Sequence, residues 1–199
     1  MEVIEIISES EGLTLRQRWA NVFTIMVCIL MMLLGLNLRN QAAGATTVYA
    51  SQEFGIAAQY PENWLIDETG DYVFRVRDMS RTGYKTTFLV TVQPVGPDAQ
   101  ERNLADRLSL DRITSLTDYR VQPLEPYVFP DGRTGQALNY TYVAAAASPF
   151  LEAIPTVVRG RDIVTISSGQ AIVITFRADV DNFDAELSRF EQFLRQMEF

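Results

Sequence analysis

GQAIVITFRADVDNFDAELSRFEQFLRQMEF, residues 169–199, decides the fold class. Its first part alternates with period two, so Ile172, Ile174 and Phe176 line one face of an extended strand. Past Asp179 the period changes. Phe183, Leu187, Phe190, Leu194 and Met197 recur at intervals of 4, 3, 4 and 3, the stripe of an amphipathic helix that Asp181 or Asn182 is placed to cap. Burying one such side chain stabilises by roughly 1.5–3 kcal/mol, so five on one stripe make this helix a cover for a sheet. Phe193 and Phe199 lie off that stripe and are expected at the surface.

Working upstream, the alternation recurs. Leu138, Tyr140 and Tyr142 point one way in GQALNYTYVAAAA (135–147), with Ala137, Asn139 and Thr141 opposite. Phe88, Val90 and Val92 form another apolar face, and Tyr72, Phe74 and Val76 a third. GIAAQY and WLID read as short strands on either side of a Pro61-Glu62-Asn63 turn. YRVQPL (119–124) reads as one more, and Pro130-Asp131-Gly132 as a turn. IPTVVRG and DIVTISS are either two short strands or one bulged strand. Between the strands, residues 98–118 take helical period, with Asp98 or Asn103 as N-cap and Leu104, Leu108, Ile113 and Leu116 as the stripe. Leu110 widens that stripe toward a second surface. The fold class expected is α+β, a mainly antiparallel sheet flanked by helices, with the three strand faces at 88–92, 138–142 and 172–176 supplying the core.

Farther toward the N-terminus the composition changes. Ala20 to Leu38, ANVFTIMVCILMMLLGLNL, carries no charge, and its 19 residues span about 28 Å as a helix, close to the hydrocarbon thickness of a bilayer. Arg16 and Arg18 precede it and Arg39 follows, so the positive-inside bias puts the N-terminus in the cytoplasm. Trp19 suits the interface. The organisation expected is a cytoplasmic tail (1–19), a transmembrane helix (20–38), a small and polar linker (39–50) and an extracytoplasmic domain (51–199). In the tail, Val3, Ile4, Ile6 and Ile7 interleave with glutamates as a short amphipathic turn or strand would. The apolar run exceeds a signal-peptide core and its leading region is acid-rich, which favours an uncleaved anchor at the plasma membrane. Ala43-Gly44-Ala45 keeps the alternative open, a domain secreted after cleavage near Ala45.

Composition excludes whole classes of chemistry. The chain has 199 residues, a formal charge of −8 and no histidine. Its one cysteine, Cys28, lies in the apolar run. The usual general base, the Ser-His and Cys-His pairs, disulfides and the ordinary zinc sets are all missing beyond the membrane. From Thr46 onward 21 acidic residues face 14 basic ones, a net of −7 that repels phosphate backbones, so no nucleic acid is expected as partner. No enzyme activity and no cofactor or metal are expected.

FGIAAQYPENW, Phe54 to Trp64, resembles the opening of PsbP-like domains, the fold of the extrinsic PsbP subunit of photosystem II and of Mog-type Ran-binding proteins. The order of elements to Phe199 is similar as well. The resemblance implies Tyr60, Pro61 and Trp64 as structural residues, Pro61 by its fixed φ and Trp64 by filling the core. It also implies a domain that binds proteins or serves as an accessory part of a larger assembly. The metal binding associated with histidines in photosynthetic members has no counterpart here.

Two sets of residues stand out as candidate sites. Arg75, Arg77, Arg81 and Lys85 form the one local basic cluster, on an expected hairpin, and Arg75 and Arg77 share a strand face where their guanidiniums would meet an acidic partner or a headgroup. Arg159 and Arg161 around Gly160 are a second candidate. Asp179, Asp181 and Asp184 lack the alternation and the glycine of a calcium loop, and read as helix-capping carboxylates. The function expected is a membrane-anchored protein-binding module, an accessory subunit of a membrane protein complex. The alternative is an exported domain that binds a small molecule or lipid beside the arginine hairpin.

Overall fold

The computed structural model describes residues 14–81, 83–145 and 155–199. The patterned residues Val3 to Ile7 lie outside the described residues. The chain divides into two compact units, Met1–Ala45 and Thr46–Phe199.

The first unit is the helix α1 (Leu15–Gly44). It starts in a capping box: Thr14 Oγ1 accepts from the Gln17 backbone N–H at 3.4 Å, and the Gln17 side chain accepts from the Thr14 backbone at 2.9 Å. Within it Leu15–Arg39 is apolar and long enough to cross a bilayer. The stretch 39–50, expected as a linker, is structured instead. The helix runs on to Gly44, and Thr46–Ser51 forms the strand β1. Small polar composition looked like a tether, but Thr47, Tyr49 and Ser51 are partly covered while Thr46, Val48 and Ala50 face out.

In the second unit β1 pairs antiparallel with β2 (Ile56–Pro61) as a separate ribbon. The main sheet comprises β3 (Leu65–Asp67), β4 (Phe74–Arg77), β5 (Thr87–Pro94), β6 (Thr117–Val121), β7 (Glu125–Val128), β8 (Thr134–Ala144), β9 (Thr156–Ser167) and β10 (Gln170–Asp179). Its order is β3-β4-β5-β10-β9-β8-β6, all antiparallel, with β7 also pairing β8. Helix α2 (Glu101–Ser115) lies against β6, β8 and β9, and α3 (Phe183–Arg195) against β10 and β2. Thr156–Ser167 is one continuous strand with unbroken register to both neighbours. The β9–β10 turn holds Ser168 and Gly169 at φ +52° and +75°, the left-handed pair that a two-residue hairpin needs.

The α3 side of the sheet is aromatic. Phe88 sits with its ring centroid 4.7 Å from Trp64, 5.6 Å from Phe176, 5.4 Å from Phe190 and 5.1 Å from Phe193. The turn between β2 and β3 delivers Trp64 to that cluster, its N–H donating to the Pro61 carbonyl at 3.0 Å. Ile56, Ala58 and Tyr60 of the ribbon join the same core. Phe193 is buried, contrary to the surface position expected: it lies three residues after Phe190 and four before Met197, so the helix buries a stripe wider than one row. Phe199 is partly buried against Phe129, with ring centroids 5.6 Å apart.

The opposite face is buried too, which the reading of a single shared core did not anticipate. Leu138, Tyr140 and Tyr142 do not join Phe88 and Phe176; with Val158 they form a second cluster on the α2 side. The α2 stripe also differs from expectation. Gln100 is its N-cap, Leu104, Ala105 and Leu108 face in, and Ile113 and Leu110 are exposed. The inward position one turn beyond Leu108 belongs to Arg112, 9 % exposed, because its charge is met by a strand residue below.

Candidate functional site

Register places the residues of the α2 face in rows across the sheet. One row runs Leu65, Arg77, Thr87, Arg177, Gly160, Tyr140 and Val121, from β3 through β4, β5, β10, β9 and β8 to β6. The adjacent row runs Asp67, Arg75, Leu89, Thr175, Asp162 and Leu138. The alternation of side chains along each strand puts both rows on one face.

Under α2 the rows form a buried polar network. Asp162 is fully buried. Arg112 Nε donates to Asp162 Oδ2 at 2.7 Å, and an Arg112 terminal N–H to Thr175 Oγ1 at 3.3 Å. Tyr140 Oη donates to Asp162 Oδ1 at 3.1 Å and accepts from Arg177 Nε at 3.2 Å. Arg112 lies over the Tyr140 ring at 5.1 Å, and Arg177 over Tyr142 at 5.7 Å. Tyr142 and Tyr84 share a hydroxyl–hydroxyl bond of 2.8 Å. Gly160 makes the stacking possible, since a Cβ there would lie 2.6 Å from Tyr140 Oη. Burial pushes the Tyr140 phenol well above the ordinary tyrosine range, with Asp162 adding to the shift. Tyr84 is raised in the same way, by burial first and by Tyr142 second. The Arg177 guanidinium is held charged by Tyr140 and Asp162 against the cost of its own burial.

The β3–β4–β5 half of this face is open. Leu65 is 48 % exposed, and Asp67, Arg75, Arg77, Thr87, Leu89 and Thr91 are partly exposed. As expected, Arg75 and Arg77 share it, on a β4–β5 hairpin. Arg75 is ion-paired with Asp67 and lies over the Tyr72 ring at 5.0 Å. Asp67 is held well below the usual carboxylate range by Thr69 first, through hydroxyl and backbone N–H, then by Arg75 and Tyr72. Arg77 is different. Its Nε, like those of Arg75 and Arg161, is buried without a hydrogen-bond partner, but among the described residues no acid pairs with Arg77.

The other two members of the cluster are occupied locally. Arg81 reaches Glu186 of α3 at 2.6 Å and Asp78 at 3.6 Å, so it ties the β4–β5 loop to the helix. The Lys85 ammonium donates to the Arg81 carbonyl. Arg159 and Arg161 lie on the opposite, α3, face. Arg159 pairs with Asp184 at 3.2 Å over the Phe183 ring, and Arg161 lies 5.8 Å over Tyr127. Asp179 Oδ1 accepts from the Asp181 N–H at 3.0 Å, stabilising the entry to α3, whereas Asn182 is the N-cap and makes no side-chain cap bond.

A cavity of about 650 Å³ opens elsewhere, between the Phe129–Arg133 turn and the end of α3. Arg133 fills part of its wall, lying 3.6 Å over the Phe199 ring and bonded to Asp131 at 2.5 Å. It is not beside the arginine hairpin, where the small-molecule alternative would have it. Arg112, Asp162 and Arg177 were not singled out from sequence. The available signal was a charged residue inside each apolar run: Arg112 one turn after Leu108, Asp162 before IVTI, and Arg177 after AIVITF.

No protein-family model matches the chain, and no curated protein does so either. Solved structures do. A cyanobacterial PsbP (CyanoP) from Synechocystis sp. PCC 6803 matches with a TM-score of 0.55 at 15% identity, covering 77% of this chain and 92% of that one. The Ran-binding protein Mog1p of Saccharomyces cerevisiae matches at 0.49 and 9% identity, covering 77% and 95%. A Pseudomonas aeruginosa protein of unknown function matches at 0.47 and 13%, covering 76% and 95%. The antiparallel sheet with its closing helix and its Tyr-Pro-x-x-Trp turn thus has the PsbP fold.

Proposed function

We propose that this chain is a single-pass membrane protein whose PsbP-fold domain binds a protein partner on the extracytoplasmic side, as an accessory subunit of a membrane complex. One observation carries the reading. The span Leu15–Arg39 is a single helix long and apolar enough to cross a membrane. An apolar surface of that extent needs lipid or protein around it. What supports a protein partner is the open β3–β4–β5 half-face, where Leu65 and Leu89 alternate with Arg75 and Arg77 on a chain that is otherwise acidic. The same mixture of apolar and cationic side chains suits a protein surface better than a small solute. The reading is of a binding protein and not an enzyme.

The test uses the full chain in its native membrane. Alkaline carbonate should leave it in the membrane pellet, and protease added outside should remove the domain while sparing the N-terminal tail. Cross-linking followed by extraction in mild detergent should return it with a membrane-protein partner. Release by carbonate, or recovery of this chain alone, would sink the reading.

A further inference from the structure

We infer that β1 (Thr46–Ser51) is the pairing edge of a homodimer, in which the β1 strands of two copies join antiparallel about Val48. The inference goes beyond the protein-partner reading above and takes from it only the membrane anchor.

β1 is hydrogen-bonded on one side alone. It pairs with β2 over six residues without a bulge, and among the described residues no backbone bond reaches its outer side. Every second residue of such a strand turns its N–H and C=O away from its neighbour, which makes an open edge a template for another strand. The other edges are closed or blunted. The far side of β2 is taken by Glu198, whose backbone exchanges bonds of 2.9 and 2.8 Å with Ala57. β3 has three residues and ends in Asp67. β6 is interrupted by a register shift, with Asp118 at φ +51°, and β7 contains Pro126. β1, TTVYAS, has no charge, proline or glycine, and its threonines, valine and tyrosine suit a strand.

The side chains set the register. Tyr49 is committed inward, its ring centroid 4.5 Å from that of Phe74 and its hydroxyl donating to the Val73 carbonyl at 3.3 Å. Val48 faces out and is 64 % exposed. Directly opposed residues of an antiparallel pair share a face, so a second β1 must set odd positions against odd and even against even. A two-fold axis at Val48 does this: Val48 meets itself, Thr46 meets Ala50, and Thr47 meets Tyr49. It also covers the exposed valine with its own copy, and no like charges come together because the strand has none. The length of chain to the anchor makes the occupant a second copy. β1 starts at Thr46, two residues after the end of the helix that contains Leu15–Arg39. Any two copies in one membrane therefore carry this edge at the same number of residues from the bilayer, and anchoring raises their effective concentration.

The test uses the full chain in its native membrane, with Cys28→Ser to remove the native thiol and one cysteine added at a time. Copper–phenanthroline oxidation should link Val48→Cys into a disulfide dimer about tenfold faster than Val128→Cys, a control of matching exposure at 65 %. Thr46→Cys and Ala50→Cys should link when the two variants are expressed together, and neither should link well alone. Val48→Lys sets like charges opposite each other. It should weaken the dimer about tenfold or more in sedimentation equilibrium of the full chain in nonionic micelles, with unchanged tryptophan fluorescence as the check of its fold. Equal rates at Val48 and Val128, no disulfide, or a micellar dimer indifferent to Val48→Lys would each overturn the pairing. Its failure is separable from that of the parent reading. No disulfide from a chain that stays in the carbonate pellet and captures its partner overturns the pairing and leaves the binding module; release by carbonate overturns the anchor.

Discussion

Removing the Asp162 carboxylate, as in Asp162→Ala, tests how α2 is held to the sheet. Asp162 has a fully buried side chain, Arg112 one that is 10 % exposed, and they meet at 2.7 Å. Without the carboxylate, Arg112 keeps its charge in a site closed to water, and the Tyr140 hydroxyl loses its acceptor. Breaking a buried pair from one side costs about 3–5 kcal/mol, most of it the stranded charge. Domain stabilities are about 5–15 kcal/mol, so the loss takes a large share. For a unit of this size it lowers Tm by roughly 6–20 °C. Arg112→Met alone should cost less, because it leaves a carboxylate that Tyr140 still serves. The double variant Arg112→Met/Asp162→Leu should lie within about 1 kcal/mol of wild type, since apolar replacement of both partners removes the desolvation cost as well. The assay is urea unfolding of the full chain in nonionic micelles, read by Trp64 fluorescence in a Trp19→Phe background. Salt should change the result little, because a buried pair is poorly screened. A single-variant loss under 1 kcal/mol, or a double variant equal to the sum of the singles, would refute the reasoning.

The remaining predictions address packing and titration. Phe193→Ala should cost about 3–5 kcal/mol, and Ile113→Ser within about 0.5 kcal/mol of nothing, by the same urea assay; equal costs would contradict the burial described. Gly160→Ala should cost about 1–3 kcal/mol by pushing the Tyr140 ring off β9, and in the Tyr140→Leu background the same substitution should cost much less. At high pH the folded phenols of Tyr84 and Tyr140 ionise later than those of the unfolded chain, whose pKa is near 10. Their contribution to stability is therefore complete below about pH 10 and is lost as pH rises toward the folded values. Absorbance at 295 nm should show part of the tyrosine signal appearing only together with loss of the near-ultraviolet circular dichroism.

Much of the fold was legible because alternation and helical period leave separate marks. Phe88, Val90 and Val92 read as one strand face, Ile172, Ile174 and Phe176 as another, and Phe183 to Met197 as a helix stripe, from spacing alone, and the structure joins them in one core. What spacing could not say was which side of the sheet each face meets. Leu138, Tyr140 and Tyr142 alternate as cleanly as Ile172, Ile174 and Phe176, yet the pairing of β8 through β9 to β10 turns them toward the other side. Parity is local to a strand, and register between strands appears only on folding. The site was half legible for the same reason. Arg75 and Arg77 are two residues apart and shared a face on inspection. Arg112, Asp162, Tyr140 and Arg177 come together from α2, β9, β8 and β10 through pairings that no short stretch of sequence records.

The two faces of the sheet are therefore held by different forces. α3 lies chiefly on interlocking aromatic rings, with its buried Glu186 answered at the rim by Arg81 and Arg189. α2 brings only Leu104, Ala105 and Leu108 to the second cluster and third, and anchors its next turn through Arg112. Its fixed point is a charge, and one carboxylate answers it. Asp162 bonds Arg112 and Tyr140, and Arg177, on the far side of Tyr140, donates to the phenol oxygen while Asp162 also favours its charge. The row that carries Arg177 continues through Thr87 to Arg77, beyond the helix. Exchanging Asp162 for a neutral residue would strand the Arg112 guanidinium, take the acceptor from Tyr140 and remove the charge that favours Arg177, so one carboxylate holds together the whole polar layer beneath α2.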